Sequence, residues 1–310
     1  MRVFITGASG HIGSAVVPTL LSAGHEVVGL ARSDASAAAL TAAGAVVRRG
    51  DLDDFQGLQE ATAAADGVIH LAFKHDVAFT GDFAGAAAAD LRAVEAIGAA
   101  LEGSGKPFVI TSGTLLLARA ALGRKGTEED RLDGGPRIDS ENAVIAMADR
   151  GVRSSVIRLA PTVHSSLDRH GFVLSLIAMA RKTGVAAYVG DGANRWPAVH
   201  TLDAARLYRL ALEAAPAGSR LHGVADEGVP FRKIAEAIGR GLGLAAVSIT
   251  AEHAAEHLGF LAAFAQLDNP TSSVQTQTRL GWRPRHPGLL DDLAEDHYFE
   301  PLPSARANAR

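Results

Sequence analysis

Three glycines near the start of the chain constrain the fold more than any other feature. The segment at residues 6–13 reads TGASGHIG, follows an apolar run at 2–5, and leads into apolar side chains that recur at helical spacing. A glycine turn between a strand and a helix predicts the first unit of a parallel α/β sheet. In that setting Gly7 makes the tight turn, Gly10 lets a ligand approach the backbone, and Gly13 lets the helix pack on the sheet.

Apolar runs rich in valine and isoleucine alternate with helical stretches over the first half of the chain. Such runs are typical of parallel strands that are buried on both faces. We therefore predict an α/β fold: a Rossmann-like, doubly wound parallel sheet with helices on both faces and a smaller carboxyl-terminal substrate lobe. The predicted strands lie at 2–6, 26–30, 46–49, 67–71, 108–111 and 155–159. The predicted helices of this half lie at 13–23, 35–43, 55–64, 84–102 and 140–150.

The regular alternation weakens after about residue 165, where prolines punctuate the sequence. We predict a sheet domain over 1–165, to which 199–225 returns, and a substrate lobe formed by 166–198 and 226–300. The polar tail at 301–310 is expected to be frayed. Further helices are predicted at 172–182, 202–213, 231–242, 252–264 and 272–280, and short strands at 187–189, 221–223 and 247–249.

The composition argues against several kinds of site and partner. Cysteine is absent, which excludes disulfides and thiolate sites. A net charge of −4 without a basic stripe argues against nucleic-acid binding, and no apolar stretch is long enough for a membrane span. Histidines and carboxylates do not cluster at metal-ligand spacing, so we predict no metal. Because the chain begins directly with a strand, we expect no signal peptide and a cytoplasmic location.

The glycine turn predicts a dinucleotide site, because N–H groups at a helix start hold phosphates. NAD enzymes usually have a carboxylate at the end of the second strand, but this chain has Arg32 and Ser33 there. Asp34 comes later and is predicted to cap the next helix. Arg32 and Ser33 suit a 2′-phosphate, so NADP(H) is the predicted cofactor and NAD(H) is possible. The alternative is that Arg32 faces solvent. The residues assigned to the phosphates are Gly7, Ser9, Gly10, His11, Ile12 and Gly13.

Several blocks together make the chain resemble the extended short-chain dehydrogenase/reductase family, also called the NAD-dependent epimerase/dehydratase family. They occur in the expected order: the glycine turn, GDL at 50–52, HLA at 70–72, VITS at 109–112, RLAPTV at 158–163, and VGDG to VHTLD across 189–203. The resemblance implies that Asp51 and Leu52 lie at the adenine and that Pro161 and Val163 lie near the nicotinamide. Asp51 is alternatively a solvated loop carboxylate or a helix cap. The other residues implied along the cofactor are Leu71, Ala72, Phe73 and Thr111, with simple packing as the alternative for the first two.

The family's usual catalytic pair, Tyr-x-x-x-Lys, is absent. None of Tyr188, Tyr208 and Tyr298 has a lysine four residues later, and no tyrosine lies between residues 113 and 188. The positions expected for the tyrosine and the lysine fall near Asp133 and Arg137. The absence of the pair places the chain among the atypical members of the family. Arg137 is predicted to hold the ribose in place of the lysine, but an arginine does not release a proton near neutral pH.

Candidate catalytic groups must therefore come from elsewhere. The position of the family's catalytic hydroxyl is Gly113, and the flanking Ser112 and Thr114 are predicted to polarise a carbonyl. Alternatively, both hydroxyls satisfy local backbone groups. His75 is a candidate proton donor that Asp76 would orient, because a histidine titrates near neutral pH. The alternative for His75 is a surface or packing role.

Candidate substrate residues follow the sixth strand and lie in the second lobe. His164 is predicted to face the cofactor cleft, with packing as the alternative. Arg195 would bind a carboxylate, phosphate or carbonyl oxygen, and Trp196 would wall an apolar pocket. The alternative for the last two is a structural Arg–Asp pair beside a packing tryptophan.

These features predict an NADP(H)-dependent oxidoreductase that transfers hydride to or from a small or medium carbonyl or alcohol. The alternative is a non-catalytic NADP(H)-binding redox sensor. Epimerase or dehydratase work on a nucleotide sugar is a weaker prediction, because those reactions use the missing tyrosine. The expected partners are a small-molecule substrate and, through the helices at 84–102 and 140–150, a second copy of the chain.

Overall fold

A parallel sheet organises the structure, a computed structural model that describes residues 1–120 and 123–300. The predicted tail at 301–310 lies outside the described residues. The strands are β1 (Arg2–Thr6), β2 (Glu26–Ala31), β3 (Val46–Arg49), β4 (Gly67–His70), β5 (Pro107–Gly113), β6 (Arg153–Leu159), β7 (Thr162–His164), β8 (Ala186–Val189), β9 (Arg195–His200), β10 (Ser219–Gly223), β11 (Asp226–Pro230) and β12 (Ala246–Ile249). Seven of them form one sheet in the order β10-β6-β5-β4-β1-β2-β3, and every pairing in it is parallel. The predicted fold class is confirmed.

Helices cover both faces of this sheet. The helices of the sheet domain and of the second lobe, in chain order, are α1 (Gly13–Ser22), α2 (Asp34–Ala42), α3 (Phe55–Ala63), α4 (His75–Phe79), α5 (Phe83–Leu101), α6 (Leu115–Arg119), α7 (Ile138–Ala146), α8 (Phe172–Thr183), α9 (Thr201–Ala214), α10 (Phe231–Leu242), α11 (Ala254–Leu258), α12 (Val274–Leu280) and α13 (Leu289–Asp292). Of these, α8, α10, α11 and α13 pack in the second lobe. Alternate residues of β1 point to opposite faces: Val3 and Ile5 pack with α1 and α9, and Phe4 packs with α3, α5 and α7. Because all strands run the same way, their carboxyl ends share one edge.

The second lobe has a core of its own. Trp196 and Phe231 are fully buried there, packed with side chains of α8, α10 and β8. Two small sheets belong to this part of the chain, β11-β9-β7 and β12-β8. The segment after α9 supplies β10, which pairs with β6 at the edge of the large sheet. None of the helices in the described residues is long and apolar enough to span a bilayer.

The sequence pattern was wrong about one helix, and it missed three strands and the three short helices α4, α6 and α13. The predicted helix at 252–264 is a series of short turns around α11, because Gly259 takes a φ of +57° and ends the helix there. The strands β7, β9 and β11 were not predicted. β7 has only three residues, β11 reads DEGVP, and β9 contains Pro197, so none of them shows the apolar run by which the other strands were predicted.

Candidate functional site

The glycine turn lies at the carboxyl edge of the large sheet, between β1 and α1. Gly7 has a φ of +69°, and a Cβ there would lie 2.6 Å from the Ala72 backbone nitrogen. A Cβ at Gly13 would lie 2.3 Å from the Gly7 carbonyl oxygen. At Gly10 the nearest atom, the Gly7 oxygen, is 3.3 Å away, so the outer side of the turn is open. The turn is thus packed tightly beneath and accessible above, which fits a pyrophosphate at the α1 N-terminus.

The residues between the last two glycines connect this turn to the second half of the chain. His11 Nε2 lies 3.0 Å from Thr201 Oγ1, and Nδ1 lies 3.6 Å from the buried Asp168 carboxylate. Burial lowers the pKa of His11, while Asp168 opposes that shift. Ile12 precedes α1 and packs against the core, and Ser9 is exposed at the open side of the turn. All three predicted residues therefore lie at the turn.

The end of β2 presents a cation to solvent. The Arg32 side chain is 70% exposed, and its NH1 lies 3.4 Å from Asp76 Oδ2. Ser33 is the N-cap of α2, where its hydroxyl accepts a hydrogen bond from the Ser36 N–H at 3.2 Å. The prediction that Asp34 caps this helix is wrong, because Asp34 already lies in the first helical turn while Ser33 has the extended backbone that a cap requires. Asp34 pairs with Arg49 instead.

The residues predicted along the cofactor follow the ends of β3, β4 and β6. Asp51 is exposed and accepts a hydrogen bond from the Asp53 N–H at 2.8 Å, as a loop carboxylate does. Leu52 is buried in the core beneath it. Three others remain half-buried at the edge, Leu71, Ala72 and Pro161. Val163 in β7 is also half-buried and packs against the main core.

The hydroxyls at the end of β5 are all engaged inside the protein. Ser112 Oγ donates to Glu141 Oε2 at 3.0 Å, and Thr114 Oγ1 accepts from the Asn269 amide at 3.0 Å. Both side chains are buried. A Cβ added at Gly113, by contrast, would meet nothing nearer than a carbonyl oxygen at 3.9 Å. The open position at this strand end is therefore the one that carries no side chain.

A buried polar network links the strand ends at the same edge. His70 Nε2 donates to Asp90 Oδ1 at 3.2 Å, and His70 Nδ1 accepts from Thr6 Oγ1 at 2.7 Å. Asp90 Oδ1 also accepts from Arg137 NH1 at 3.0 Å, and Arg137 NH2 donates to the Thr111 carbonyl oxygen at 2.7 Å. Sequence reasoning missed His70 and Asp90. The available signal for Asp90 was a lone carboxylate on the apolar face of an alanine-rich helix.

The Thr111 side chain continues this network on the other face of the sheet. Its hydroxyl donates to the His70 carbonyl oxygen at 3.2 Å and accepts from the Tyr208 hydroxyl at 2.7 Å. Burial raises the pKa of Tyr208, so its phenol stays protonated. Tyr208 is fully buried in α9 and packs in the core.

His75 follows the network at the start of α4. Its ring meets the ring of Phe73 edge-on, with 5.2 Å between the centroids. Desolvation and the nearby Arg137 charge lower the pKa of His75. A histidine with a lowered pKa is mostly neutral at pH 7, which weakens the prediction that it donates a proton there.

The three predicted substrate residues, His164, Arg195 and Trp196, all contact other residues of the protein. His164 is fully buried, and its Nδ1 donates to Asp292 Oδ2 at 2.8 Å, so the ring does not reach a surface cleft. Arg195 pairs with Asp268 through two hydrogen bonds of 3.0 and 2.7 Å. Trp196 is fully buried against Phe231. This arrangement matches the alternative reading, an Arg–Asp pair beside a packing tryptophan.

An open cavity of about 360 Å³ lies beside the end of β5. Asn269, which binds Thr114, lies in its wall, as does the Arg195–Asp268 pair. Leu117 and Pro270 add apolar surface. The cavity thus offers mixed polar and apolar contacts to a small molecule, and Asn269 connects its wall to Thr114, the residue after Gly113.

Comparison with known proteins agrees with the predicted family and fold. The sequence model of the NAD-dependent epimerase/dehydratase family matches residues 3–131. The uncharacterized protein C2A9.02 of Schizosaccharomyces pombe is 48% identical over 96% of this chain and 100% of its own length. The uncharacterized protein YLL056C of Saccharomyces cerevisiae is 42% identical over 96% of this chain and 99% of its own length.

The chain belongs to the NAD-dependent epimerase/dehydratase family. Structures of the extended short-chain dehydrogenase/reductase fold are similar throughout: a dTDP-glucose 4,6-dehydratase from Streptomyces venezuelae, crystallised with NAD, has a TM-score of 0.76 at 20% identity and covers 96% of each chain. Two more distant family relatives are reductases. The 2'-dehydrokanamycin reductase of Streptomyces kanamyceticus is 29% identical over 83% of this chain and 72% of its own length. The 2-alkyl-3-oxoalkanoate reductase of Stenotrophomonas maltophilia is 27% identical over 76% of this chain and 73% of its own length.

Proposed function

We propose that this protein is an NADP(H)-dependent oxidoreductase that transfers hydride to or from a small or medium carbonyl or alcohol. One observation carries the proposal: the open glycine turn and the exposed Arg32 guanidinium follow two hydrogen-bonded strands, β1 and β2, at the same sheet edge. The turn suits the pyrophosphate, and Arg32 with Ser33 suits a 2′-phosphate. A planar guanidinium forms paired hydrogen bonds to a phosphate.

When bound, the cofactor supplies the hydride. The chain's own residues hold and orient it: backbone N–H groups of the turn at the pyrophosphate, Asp51 and Leu52 at the adenosine end, and Pro161 and Val163 at the nicotinamide end. The cavity beside β5 would then take the substrate. Reduction of a carbonyl is the favoured direction, since the names of the two reductase relatives denote a dehydro and an oxo compound.

A redox sensor without turnover is the second candidate. The observation that favours it is the engagement of every hydroxyl at the end of β5: Ser112, Thr114 and Thr111 all have partners inside the protein. A sensor needs the cofactor site but no proton donor beside it. The two candidates therefore share one binding site and differ only in turnover.

Titration of the protein with NADPH and with NADH tests the cofactor. We expect NADPH to bind at least tenfold more tightly, and Arg32→Ala to remove that preference while NADH binding stays unchanged. Arg150→Ala is the matched control, because Arg150 is also an exposed arginine in a single ion pair, with Glu102, and lies near the start of β6 at the opposite edge. Equal affinities in the wild type would refute the NADP preference.

A substrate panel then separates the two candidates. NADPH absorbance is followed with aldehydes, ketones, enones and imines. Turnover of any of them supports the oxidoreductase, whereas tight NADPH binding without turnover across the panel supports the sensor.

A homodimer through α5 and α7 remains a prediction, which sedimentation analysis of the purified protein would check.

A further inference from the structure

Arg137 has an unusual backbone for an arginine. Its φ is +71°, and it is the one residue other than glycine with a positive φ in residues 1–120 and 123–300. A left-handed conformation is sterically unfavourable for any residue that carries a Cβ. Such strain persists only where the surrounding contacts impose it, and it is common at functional sites.

Three contacts hold the Arg137 guanidinium and impose this backbone conformation. Asp90 Oδ1 accepts from NH1 at 3.0 Å, the Thr111 carbonyl oxygen accepts from NH2 at 2.7 Å, and the Phe73 ring lies 4.3 Å below the central carbon. The side chain is 14% exposed. The planar group is therefore fixed in position at the ends of β4 and β5.

Asp90 is in turn held on its other side. It is 2% exposed and accepts from His70, whose second ring nitrogen accepts from Thr6. Burial alone would raise the pKa of Asp90, but Arg137 and His70 outweigh it and hold the pKa below its usual range. An ionised Asp90 thus connects the cation to Thr6, the residue directly before the glycine turn.

The guanidinium retains hydrogen-bonding capacity. Two of its five N–H groups make the contacts above, and the others have no hydrogen-bond partner among the residues that the structure describes. Thr111, which binds Arg137, is two residues before Gly113, the open position on β5. The nearby hydroxyls of Ser112 and Tyr208 are already engaged. At this edge the permanent charge of Arg137 is the group best able to meet a developing negative charge.

We propose that Arg137 stabilises the oxyanion that forms on the substrate carbonyl, and that Asp90 and Phe73 are positioning residues for it. This inference rests on the proposed oxidoreductase function. The substrate is then a compound whose carbonyl oxygen can reach the fixed Arg137 guanidinium. The reaction needs no side chain that donates a proton. Preorganised donors aimed at a developing charge are a large source of catalysis.

The step balances with water as the proton source. The carbonyl carbon receives a hydride, so its new C–H bond forms as the C–H bond of the dihydronicotinamide breaks. The π electron pair of the carbonyl moves to oxygen, where Arg137 meets the charge. A water proton then converts the alkoxide to the alcohol and leaves hydroxide in solution. The carbonyl is reduced, and the nicotinamide dinucleotide is oxidised.

Substitution of Arg137 by methionine tests the proposal with three measurements. We expect kcat to fall by about 10²–10³-fold, the loss seen when an oxyanion donor is removed. The dissociation constant for NADPH should change less than threefold. Acetate serves as a small carboxylate probe. It should bind the NADP⁺-loaded Arg137→Met variant at least tenfold more weakly than it binds the NADP⁺-loaded wild type. Arg131→Met, an exposed arginine of the same loop, is the matched control.

Asp90→Asn tests the positioning role. We expect kcat to fall about tenfold at an unchanged NADPH affinity, and the double variant with Arg137→Met to be no slower than Arg137→Met alone. A merely structural Asp90 would instead give additive losses. The wild-type rate at saturating substrate should be flat from pH 6 to pH 9, since a guanidinium oxyanion donor, unlike a side-chain acid, keeps its charge over this range.

The outcomes separate this inference from the proposed function. If Arg137→Met weakens NADPH binding and leaves kcat and acetate binding unchanged, Arg137 holds the ribose and the inference is wrong, while the oxidoreductase stands. If wild-type protein turns over no carbonyl in the panel, both are overturned.

Discussion

Glu141 on α7 and Arg158 on β6 form an ion pair in the interior, with side chains 2% and 0% exposed. Arg158 Nε donates to Glu141 Oε2 at 3.0 Å, and its NH2 donates to the other carboxylate oxygen. Arg220 Nε adds a bond of 2.8 Å. Burial would raise the pKa of Glu141, but Arg158 and Arg220 hold it below its usual range. The pair fixes α7 against the sheet and draws the Ser112 hydroxyl away from the cleft.

Replacing Glu141 by glutamine should destabilise the protein by about 3–5 kcal/mol, because it leaves Arg158 buried without a counter-charge. Urea unfolding followed by circular dichroism measures this. Glu129→Gln is the control: Glu129 is exposed, and its substitution should change the free energy of unfolding by less than about 0.5 kcal/mol. A loss below about 1 kcal/mol for Glu141→Gln would show that the buried pair contributes no more than a surface one.

Stability should fall as the pH drops from 6.5 toward 4. Burial lowers the pKa of His222 to about 4, and its Nδ1 donates to the Ser272 carbonyl oxygen at 2.7 Å. Between those pH values the unfolded chain binds a proton at this position and the folded protein does not, so protons favour unfolding. A pKa shift of this size contributes about 3 kcal/mol to the free energy of unfolding. This contribution is present above pH 6.5 and is lost as the pH approaches 4.

His222→Asn preserves the donor to Ser272 and removes the titration. Its unfolding free energy should depend less steeply on pH between 4 and 6.5 than that of the wild type, while His253→Gln, at an exposed position, should leave the slope unchanged. An unchanged slope in His222→Asn would contradict the assignment. His200, whose pKa burial also lowers to about 4, accounts for part of the slope that remains.

Alanine substitutions at two glycines of the turn should have different effects. A Cβ at Gly13 meets backbone oxygens at 2.3 and 2.5 Å, so Gly13→Ala should cost about 1–3 kcal/mol of stability. Gly10→Ala meets one oxygen at 3.3 Å and should fold nearly as well as the wild type, yet bind NADPH at least tenfold more weakly. Thermal unfolding and NADPH titration on both variants check this. Unaltered NADPH affinity in Gly10→Ala would place the pyrophosphate elsewhere.

Binding of NADPH should take up a proton at His11. In the free protein, burial lowers the pKa of this ring, with Asp168 raising it and His170 and His164 lowering it further. A pyrophosphate beside the ring would favour its charged form, so the affinity contributed by His11 should rise as the pH falls from 7.5 to 6. Calorimetry in buffers of different ionisation enthalpy measures the uptake. The wild type should take up more protons than His11→Gln, and equal uptake would contradict the prediction.

Much of the fold was readable from the sequence, because strand and helix periods depend on residues close in the chain. The bounds of β1 and β3 match the prediction, and most other elements of the large sheet differ by one or two residues. The three glycines of the turn and the cation at Arg32 were readable for the same reason: a strand end and the turn after it are local. The segment at 252–264 was not, because Gly259 interrupts the helix with a φ of +57°.

The partners of the polar side chains depended on the tertiary structure. Asp90 and Arg137 are 47 residues apart, Thr114 and Asn269 are 155 apart, and no local pattern joins them. Sequence alone determined that a parallel sheet carries a glycine turn with Arg32 beside it at the carboxyl edge, and that no Tyr-x-x-x-Lys is present. Only long-range packing decided that Ser112 and Thr114 turn inward while Arg137 is held at the edge, since a buried hydroxyl or charge binds whichever partner the fold brings within reach.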